Sequence, residues 1–261
     1  MSYVIAICHQ KGGVAKTTTA LALGACLVEQ HAETLLIDLD PQANLTAGMG
    51  LNPADLNRSV AEVLLGNETL LRVSRETNVP GLDIVPANAD MVTVSQHLQL
   101  RTPYEFVLRE ALARPDVAHY EVVLIDCPPT LGPVTIAALT AADMAIVPTQ
   151  CEYFSMQALD SVIKLISLVR AKTNPRLSYR LLVTMFDGRG TFHSRVLAYL
   201  QQHFGAALLG SVIGFDTKLR ESQLVGQPIT VHARQSRGAQ HYRQLAEEVL
   251  TYVRRPVFQT A

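Results

Sequence analysis

A lysine and a threonine at the start of a predicted helix are the residues best placed to bind phosphate. The stretch Lys11–Thr18 reads Lys-Gly-Gly-Val-Ala-Lys-Thr-Thr; it follows an apolar run ending at Cys8 and opens a segment rich in Ala and Leu. Small residues let backbone N–H groups surround phosphate oxygens, and a helix N-terminus adds partial positive charge. Lys16 is placed to reach the β- and γ-phosphates, and the Thr17 hydroxyl to ligate Mg²⁺. The pattern predicts a binding loop for Mg-ATP.

The loop departs from the general pattern G-x-x-x-x-G-K-[ST] at two positions. Gln10 stands at the first glycine and Ala15 at the second. On this pattern alone, a glycine-rich turn with a chance Lys-Thr pair is an alternative. The methyl group of Ala15 is expected to crowd the phosphate or to require a different loop path, which bears on affinity and rate.

Two predicted strands end in aspartates. Asp38 and Asp40 precede Pro41, and Asp126 follows four apolar residues. The carboxyl ends of parallel strands face the ligand crevice of a doubly wound sheet, and residues two apart on a strand point the same way. Asp126 has the form of a Walker B carboxylate that holds Mg²⁺ through a water. For Asp38 and Asp40, initiation of a turn before Pro41 is the alternative.

Apolar, β-branched runs alternate with longer segments of helical periodicity. The runs lack in/out alternation, which is typical of strands covered on both faces. The predicted strands are Tyr3–Cys8, Thr34–Leu39, Leu82–Val85, Val122–Ile125, Met144–Pro148, Arg180–Met185 and Ser211–Ile213, and the predicted helices are Lys16–Gln30, Tyr104–Ala113, Ser155–Lys172, Phe192–Phe204 and Ala239–Arg254. This order predicts one α/β domain over residues 1–255, a doubly wound, mostly parallel sheet flanked by helices. Gly50–Pro80 is expected to be an insertion at the sheet edge and Pro256–Ala261 a flexible tail.

The formal charge of −1 is unevenly distributed along the 261 residues. Residues 1–130 carry 8 Lys/Arg against 15 Asp/Glu, a balance of −7, and residues 131–261 carry 14 against 8, a balance of +6. A basic half favours a polyanionic partner. Charges scattered over a solvated surface explain the asymmetry equally well.

The cysteines indicate a reducing compartment. None of Cys8, Cys26, Cys127 and Cys151 forms a C-x-x-C pair, and their apolar surroundings are typical of core positions. The sequence also shows no signal peptide, so a cytoplasmic location is expected.

Several motifs occur in the order found in one family. Lys11-Gly12-Gly13-x-x-Lys16-Thr17-Thr18 resembles the deviant Walker A loop of the ParA/MinD family, in which the first position need not be glycine. D-x-D-P-Q at 38–42, D-C-P-P at 126–129 and Q-C-E-Y at 150–153 are similar to the ParA/Soj-type branch. The resemblance runs from about residue 3 to about residue 254.

The resemblance implies an ATPase with a slow basal rate that forms an ATP-dependent sandwich homodimer. In this family the second aspartate of D-x-D positions the attacking water, a role that falls on Asp40, and the extra lysine, Lys11, reaches the nucleotide of the other subunit. Thr17 and Asp126 are the implied Mg²⁺ residues. The implied nucleotide-binding residues are Lys11, Gly12, Gly13, Val14, Ala15, Lys16, Thr17 and Thr18. Met185 and Phe215 are candidates for the adenine pocket, with packing in the core as the alternative.

The resemblance also implies non-specific DNA binding by the dimer on the nucleoid. Arg189 matches a family arginine, Lys218 keeps a charge that relatives carry, and Arg220 adds one nearby. Arg237 and Arg243 are further candidates. Phe215 stands where relatives have a basic residue, so weaker DNA binding is expected. Hydrolysis is expected to be stimulated by a ParB-like, centromere-binding partner in the partition of DNA or another cargo.

Two other functions use the same kind of loop. A MinD-like protein that positions itself on a membrane requires a C-terminal amphipathic helix with a cationic rim, whereas Ala239–Arg254 contains Glu247 and Glu248. An iron–sulfur reductase needs paired cysteines at the dimer face, a pattern that Cys127 and Cys151 do not match. Because the acidic Glu247 and Glu248 do not fit a cationic rim, no membrane contact is expected.

Overall fold

One twisted sheet of eight strands forms the centre of the molecule. The computed structural model describes the backbone of residues 2–255 and the side chains of all of these except residues 153–157. The strands are β1 (Tyr3–Ile7), β2 (Thr34–Asp38), β3 (Arg75–Glu76), β4 (Leu82–Val85), β5 (Val122–Asp126), β6 (Met144–Gln150), β7 (Ser178–Phe186) and β8 (Leu208–Gly214). Their order across the sheet is β3-β4-β2-β5-β1-β6-β7-β8. Every pairing is parallel except that of the short edge strand β3 with β4.

Helices cover both faces of the sheet, as expected for a doubly wound fold. They are α1 (Lys16–Glu29), α2 (Asn44–Gly48), α3 (Val60–Leu65), α4 (Leu70–Val73), α5 (Met91–His97), α6 (Val107–Leu112), α7 (Pro133–Ala141), α8 (Tyr153–Lys172), α9 (Thr191–Phe204), α10 (Thr217–Leu224), α11 (Ile229–His232) and α12 (Arg237–Val253). One face carries α1, α2 and α10 to α12, and the other carries α3 to α9. The predicted α/β fold is thus confirmed.

The strands are apolar throughout because each packs against helices on both sides. In β1, Ile5 and Ile7 pack on the face covered by α1 and α12, whereas Val4 and Ala6 pack on the opposite face. Cys8 continues the second set. Side chains alternate between faces along a strand, so two cores require an uninterrupted apolar run. This confirms the interpretation given to the missing in/out alternation.

Short helices are the main elements that the sequence prediction missed. The segment Gly50–Pro80, for which the sequence predicted no helix or strand, contains α3, α4 and β3. Helix α3 begins with a capping box in which the Ser59 hydroxyl accepts from the backbone of Ala61 while Glu62 accepts from the N–H of Ser59. The location of this segment at the sheet edge was predicted correctly, because its strand β3 is the edge strand next to β4. The expected tail, Pro256–Ala261, lies outside the described residues.

Candidate active site

Three strand ends at the middle of the sheet converge on the phosphate-binding loop. β1 lies between β5 and β6, and the chain leaves it for β2 on one side and returns to β6 on the other, so the crossovers diverge here. Such a point in an α/β sheet opens a crevice at the carboxyl ends of the strands. The register places Asp126 beside both Ile7 of β1 and Asp38 of β2. Residues far apart in sequence therefore meet around the loop after β1.

The loop between β1 and α1 is fixed by side chains from neighbouring strands. The Gln150 amide donates to the carbonyl oxygen of Gly13 at 2.9 Å, and the Thr184 hydroxyl donates to that of Val14 at 3.1 Å. At the start of the loop, the N–H of Lys11 donates to Nδ1 of His9 at 2.9 Å. Burial, together with the nearby lysine charges, lowers the pKa of His9 to about 4, so its ring is neutral and can accept this bond.

Open space lies above the two glycines of the loop. A Cβ atom added to Gly12 or Gly13 would meet no atom of the described residues within 4 Å. Gly13 has φ +74°, a conformation that favours glycine. A ligand can therefore approach this backbone closely, as phosphate recognition by N–H groups requires.

Ala15 adopts a left-handed conformation, which is how the loop accommodates a residue other than glycine there. Its φ and ψ are 70° and 33°, and it is the N-cap of α1. An L-residue with a Cβ atom is disfavoured in this region by roughly 1–2 kcal/mol. The sequence predicted that Ala15 would affect the loop path, and the structure shows a strained backbone at this residue.

We expect Ala15→Gly to raise the free energy of unfolding by roughly 1 kcal/mol, because relief of the left-handed strain exceeds the entropy that glycine adds to the unfolded chain. Urea unfolding without nucleotide measures this change. Ala20→Gly is the matched control: Ala20 lies inside α1 and is fully buried, so the same substitution should destabilise there. A loss of stability at both positions would contradict the strain argument.

A cavity of about 730 Å³ lies over the loop. Of the predicted site residues, it is lined by Gly12, Gly13, Ala15, Lys16, Thr17, Thr18, Asp40, Met185, Phe215 and Arg220. Val14, although it belongs to the loop, is fully buried and does not line the cavity. Asp126 is also fully buried and reaches the site through Thr17. The volume is in the range of small-molecule and cofactor sites.

Asp126 and Thr17 form the part of the site suited to Mg²⁺. The Thr17 hydroxyl donates to Oδ2 of Asp126 at 2.7 Å, and Oδ1 of Asp126 has no hydrogen-bond partner among the described residues. Burial raises the pKa of Asp126 well above its usual range, and the charge of Asp38 adds to this, while Thr17 and Lys16 oppose it. A cation would stabilise this carboxylate. A hydroxyl, one carboxylate and phosphate oxygens match the sparse protein ligation typical of Mg²⁺ in nucleotide sites.

The two aspartates of D-x-D do not point into the same space, contrary to the prediction. Strand β2 ends at Asp38, so Asp40 lies in the loop beyond the strand and lines the cavity. Asp38 is fully buried and accepts hydrogen bonds from the backbone of Asp40 and from Thr46. Burial raises the pKa of Asp38 to about 6, against the effect of the Thr46 hydrogen bonds. The two alternatives given for this pair, a turn before Pro41 and a place in the site, are therefore both found in the structure.

Lys11 lies at the side of the site, against residues that follow β6. Its Nζ is 2.5 Å from Oε2 of Glu152 and 3.3 Å from Oε1 of Gln150. The side chain of Glu152 is 53% exposed, so this ion pair faces solvent. The sequence analysis assigned no role to Gln150 or Glu152, because only the sheet pairing places residues more than 130 positions away beside the loop.

Met185 and Phe215 line the cavity and are not core residues. Gln150 contacts Sδ of Met185 at 2.8 Å, and Phe215 is 47% exposed. The guanidinium of Arg220 lies 5.5 Å from the centre of the Phe215 ring. Gln223, from the same helix as Arg220, donates to the Thr18 hydroxyl at 2.7 Å. Helix α10 thus forms the wall of the cavity that faces the start of α1.

Four of the basic residues predicted to bind DNA already have contacts within the chain. Arg189 forms an ion pair with Asp187, and Lys218 forms one with Glu221, each at 2.6 Å. Arg243 is paired with Glu29 at 2.6 Å, and Arg220 lines the nucleotide cavity. Exposed pairs of this kind are weak and exchange easily with other anions. The side chain of Arg189 is 89% exposed, more than those of Lys218 and Arg243.

The last helix uses its apolar side inside the protein. Tyr242, Leu245 and Val249 of α12 are fully buried, and the Tyr242 hydroxyl lies 3.1 Å from that of Thr19 in α1. Within residues 2–255, no helix combines the length and the apolar character needed to cross a bilayer. The four cysteines are all buried, as expected of core residues.

Comparison with known proteins places this site in a family. Residues 2–179 match the AAA domain family. The chain is 38% identical over 250 residues to the chromosome partitioning protein ParA of Caulobacter vibrioides, covering 95% of this chain and 94% of that protein. It is 36% identical over 258 residues to the sporulation initiation inhibitor protein Soj of Bacillus subtilis, covering 95% and 98%.

A solved structure agrees with the fold. Cobyrinic acid a,c-diamide synthase from Mycobacterium smegmatis superposes with a TM-score of 0.85 at 37% identity, covering 97% of this chain and 95% of that one. That protein has been solved with ADP and magnesium and with an ATP analog and magnesium. Similarity of this degree over nearly the whole length of several proteins shows that the chain belongs to the ParA/Soj-type family of P-loop ATPases.

Proposed function

We propose that this chain is an ATP-dependent partition ATPase whose dimer binds DNA without sequence preference. The observation that carries the proposal is the arrangement of Lys16, Thr17 and Asp126 at the phosphate loop, with Asp40 lining the same cavity. Relatives named for chromosome partition support the cargo class. A ParB-like partner that stimulates hydrolysis and a location on the nucleoid belong to this proposal.

The residues divide the work of hydrolysis among binding, charge stabilisation and orientation of water. Lys16 and the N–H groups of the loop bind the phosphates, and Thr17 and Asp126 hold Mg²⁺. When bound, Mg²⁺ offsets the negative charge that develops on the phosphate oxygens. Asp40 orients the attacking water and accepts its proton at a carboxylate oxygen. We expect basal turnover to be slow, because the proposal assigns Lys11 to the nucleotide of the other subunit and a single chain therefore lacks part of its site.

We expect Lys11→Ala to weaken the ATP-dependent dimer, because we assign Lys11 to the nucleotide of the other subunit. In the single chain the Lys11 ammonium contacts Glu152, so Glu152 competes with that contact. Glu152→Gln should therefore strengthen the dimer by a few fold, since exposed ion pairs contribute up to about 1 kcal/mol. Size-exclusion chromatography with ATP over a range of protein concentrations measures both effects.

A matched control is Asp160→Asn, which breaks the exposed Asp160–Lys164 pair of α8. It should leave dimerisation unchanged. If Lys11→Ala dimerises as well as the unaltered chain, the cross-subunit role of Lys11 is wrong. If the unaltered chain forms no dimer with ATP, the sandwich-dimer proposal itself fails.

We expect ATP, but not ADP, to support binding to random-sequence duplex DNA. Two or three phosphate contacts in a monomer bind weakly at physiological salt, and a dimer doubles their number. Each contact adds about −0.9 to the slope of log affinity against log salt concentration. Arg189→Ala removes one contact from each protomer, so the slope for the dimer should become shallower by about 1.8. Fluorescence anisotropy over a salt series gives these slopes.

Arg114→Ala serves as the control, because Arg114 also pairs with an aspartate two residues away, Asp116, but lies in the acidic half of the chain. Its slope should match that of the unaltered protein. Equal binding with ATP and ADP, or no binding at low salt with ATP, would contradict the DNA-switch function and favour a role in positioning a protein cargo.

A further inference from the structure

A buried polar network ties the loop that carries Asp40 to two strands of the sheet. Asp38 ends β2 and is fully buried. Its Oδ2 accepts from both the backbone N–H and the hydroxyl of Thr46, at 2.9 and 2.7 Å, and its Oδ1 accepts from the N–H of Asp40 at 3.1 Å. The Thr46 hydroxyl in turn accepts from the N–H of Ala87, just after β4, at 2.9 Å. Thr46 is also fully buried.

The far end of this network is held by further hydrogen bonds. Asn88, next to Ala87, accepts a hydrogen bond from the Ser59 hydroxyl at 2.8 Å, and Ser59 caps α3. Strands β2 and β4 are adjacent and paired in register. The hydroxyl of Thr46 is therefore hydrogen-bonded both to the end of β2 and to the segment after β4. In this way it attaches the loop that carries Asp40 to two neighbouring strands. Satisfied buried networks of this kind hold one geometry.

The segment under this restraint has little freedom of its own. Between Asp38 and Thr46, Ala43 has φ 51°, a left-handed conformation that is unfavourable for alanine. Such a conformation persists only where surrounding contacts enforce it. The carbonyl oxygen of Asp40 accepts from the N–H of Ala43 at 2.8 Å, so the strained turn starts at Asp40 itself. The hydrogen bonds of Thr46 are therefore among the contacts that restrain this turn.

We infer that Asp38 and Thr46 form a positioning pair that holds the Asp40 carboxylate in place for hydrolysis, and that neither is needed to bind nucleotide. Asp38 and Thr46 are absent from the cavity lining, which contains Asp40, Gln42 and Asn44 from the loop between them. The phosphate loop, in contrast, is held by Gln150 and Thr184 on the other side of the site. Binding and turnover thus depend on separate supports.

Thr46→Val tests this inference, because valine keeps the shape of threonine and removes only the hydroxyl. The turnover number should fall about tenfold or more, since small displacements of a catalytic group carry large rate penalties. Affinity for ATP should change less than about threefold. Thr46→Ser, which keeps the hydroxyl, is the matched control and should retain nearly normal turnover. Thr46→Ala, which also removes the hydroxyl and leaves Asp38 and its effect on Asp126 unchanged, tests the same bond if Thr46→Val does not fold.

A double-mutant cycle separates positioning of Asp40 from general loosening of the site. If Thr46 acts through Asp40, Thr46→Val should cause no further loss of single-turnover rate in a chain that already carries Asp40→Ala. Normal turnover in folded Thr46→Val, an equal loss of affinity and turnover, or additive losses in the double variant would each overturn the inference. It rests on the role proposed for Asp40, which is tested separately by Asp40→Ala alone: normal turnover, or a loss of ATP affinity as large as the loss of turnover, would overturn that role.

Discussion

Lys16→Ala should abolish measurable ATP binding while leaving the protein folded. The Lys16 side chain is buried at the start of α1, and its ammonium lies 3.5 Å from the carbonyl oxygen of Lys11, inside the curve of the loop. A charge-assisted hydrogen bond to phosphate in such a site contributes on the order of 3 kcal/mol, so affinity should fall about 100-fold or more. Titration with a fluorescent ATP analogue measures the loss.

The fold should survive because Lys16 lines a cavity and forms no ion pair in the described part of the chain. Circular dichroism and thermal unfolding establish that the variant is folded. Lys164→Ala, at an exposed position on α8, is the control for loss of a lysine and should bind ATP normally. Unchanged affinity in a folded Lys16→Ala protein would remove this residue from the site.

Asp40→Ala should bind ATP and dimerise but hydrolyse ATP about 10²- to 10⁴-fold more slowly. This is the range typical of the loss of a general base. Asp40 lines the cavity from the loop after β2 and forms no hydrogen bond with Lys16 or Thr17 among the described residues, so its removal should leave both in place. Its Oδ1 accepts from the N–H of Gln42 at 2.9 Å, which fixes the orientation of the carboxylate. Phosphate release at saturating ATP measures turnover.

Chromatography with ATP shows whether the Asp40→Ala dimer still forms, and it should persist longer than that of the unaltered chain because hydrolysis no longer ends it. Asp160→Ala, at an exposed aspartate of α8, controls for loss of a carboxylate. Normal turnover of Asp40→Ala would show that another group orients the water. A loss of ATP affinity as large as the loss of turnover would instead assign Asp40 to binding.

Local sequence was sufficient to identify the phosphate loop and the central strands. A loop of small residues followed by Lys16 and Thr17 depends only on neighbours in the chain, and so does the apolar run of a strand covered on both faces. The short helices α3 and α7 were missed for a local reason too. Helix α3 has only six residues, and α7 is apolar nearly all round, so neither shows a period.

The roles of the two aspartates of D-x-D could not be predicted from their spacing. The strand ends at Asp38, whose carboxylate accepts a hydrogen bond from Thr46 rather than facing the cavity. The Thr46 hydroxyl is in turn held by the backbone N–H of Ala87. Likewise, Arg220 reads as a surface charge in sequence. It lines the cavity because α10 packs against the start of α1 and places Arg220 over Phe215.

The sequence by itself determined the fold class, the family and the residues of the loop, because these are encoded in patterns of adjacent residues. Tertiary structure alone decided which distant groups support them: Gln150 and Thr184 at the loop, and Glu152 beside Lys11. The physical reason is that parallel strands bring together segments separated by more than 100 residues. Hydrogen-bond partners across such pairings leave no signal in local spacing or hydropathy.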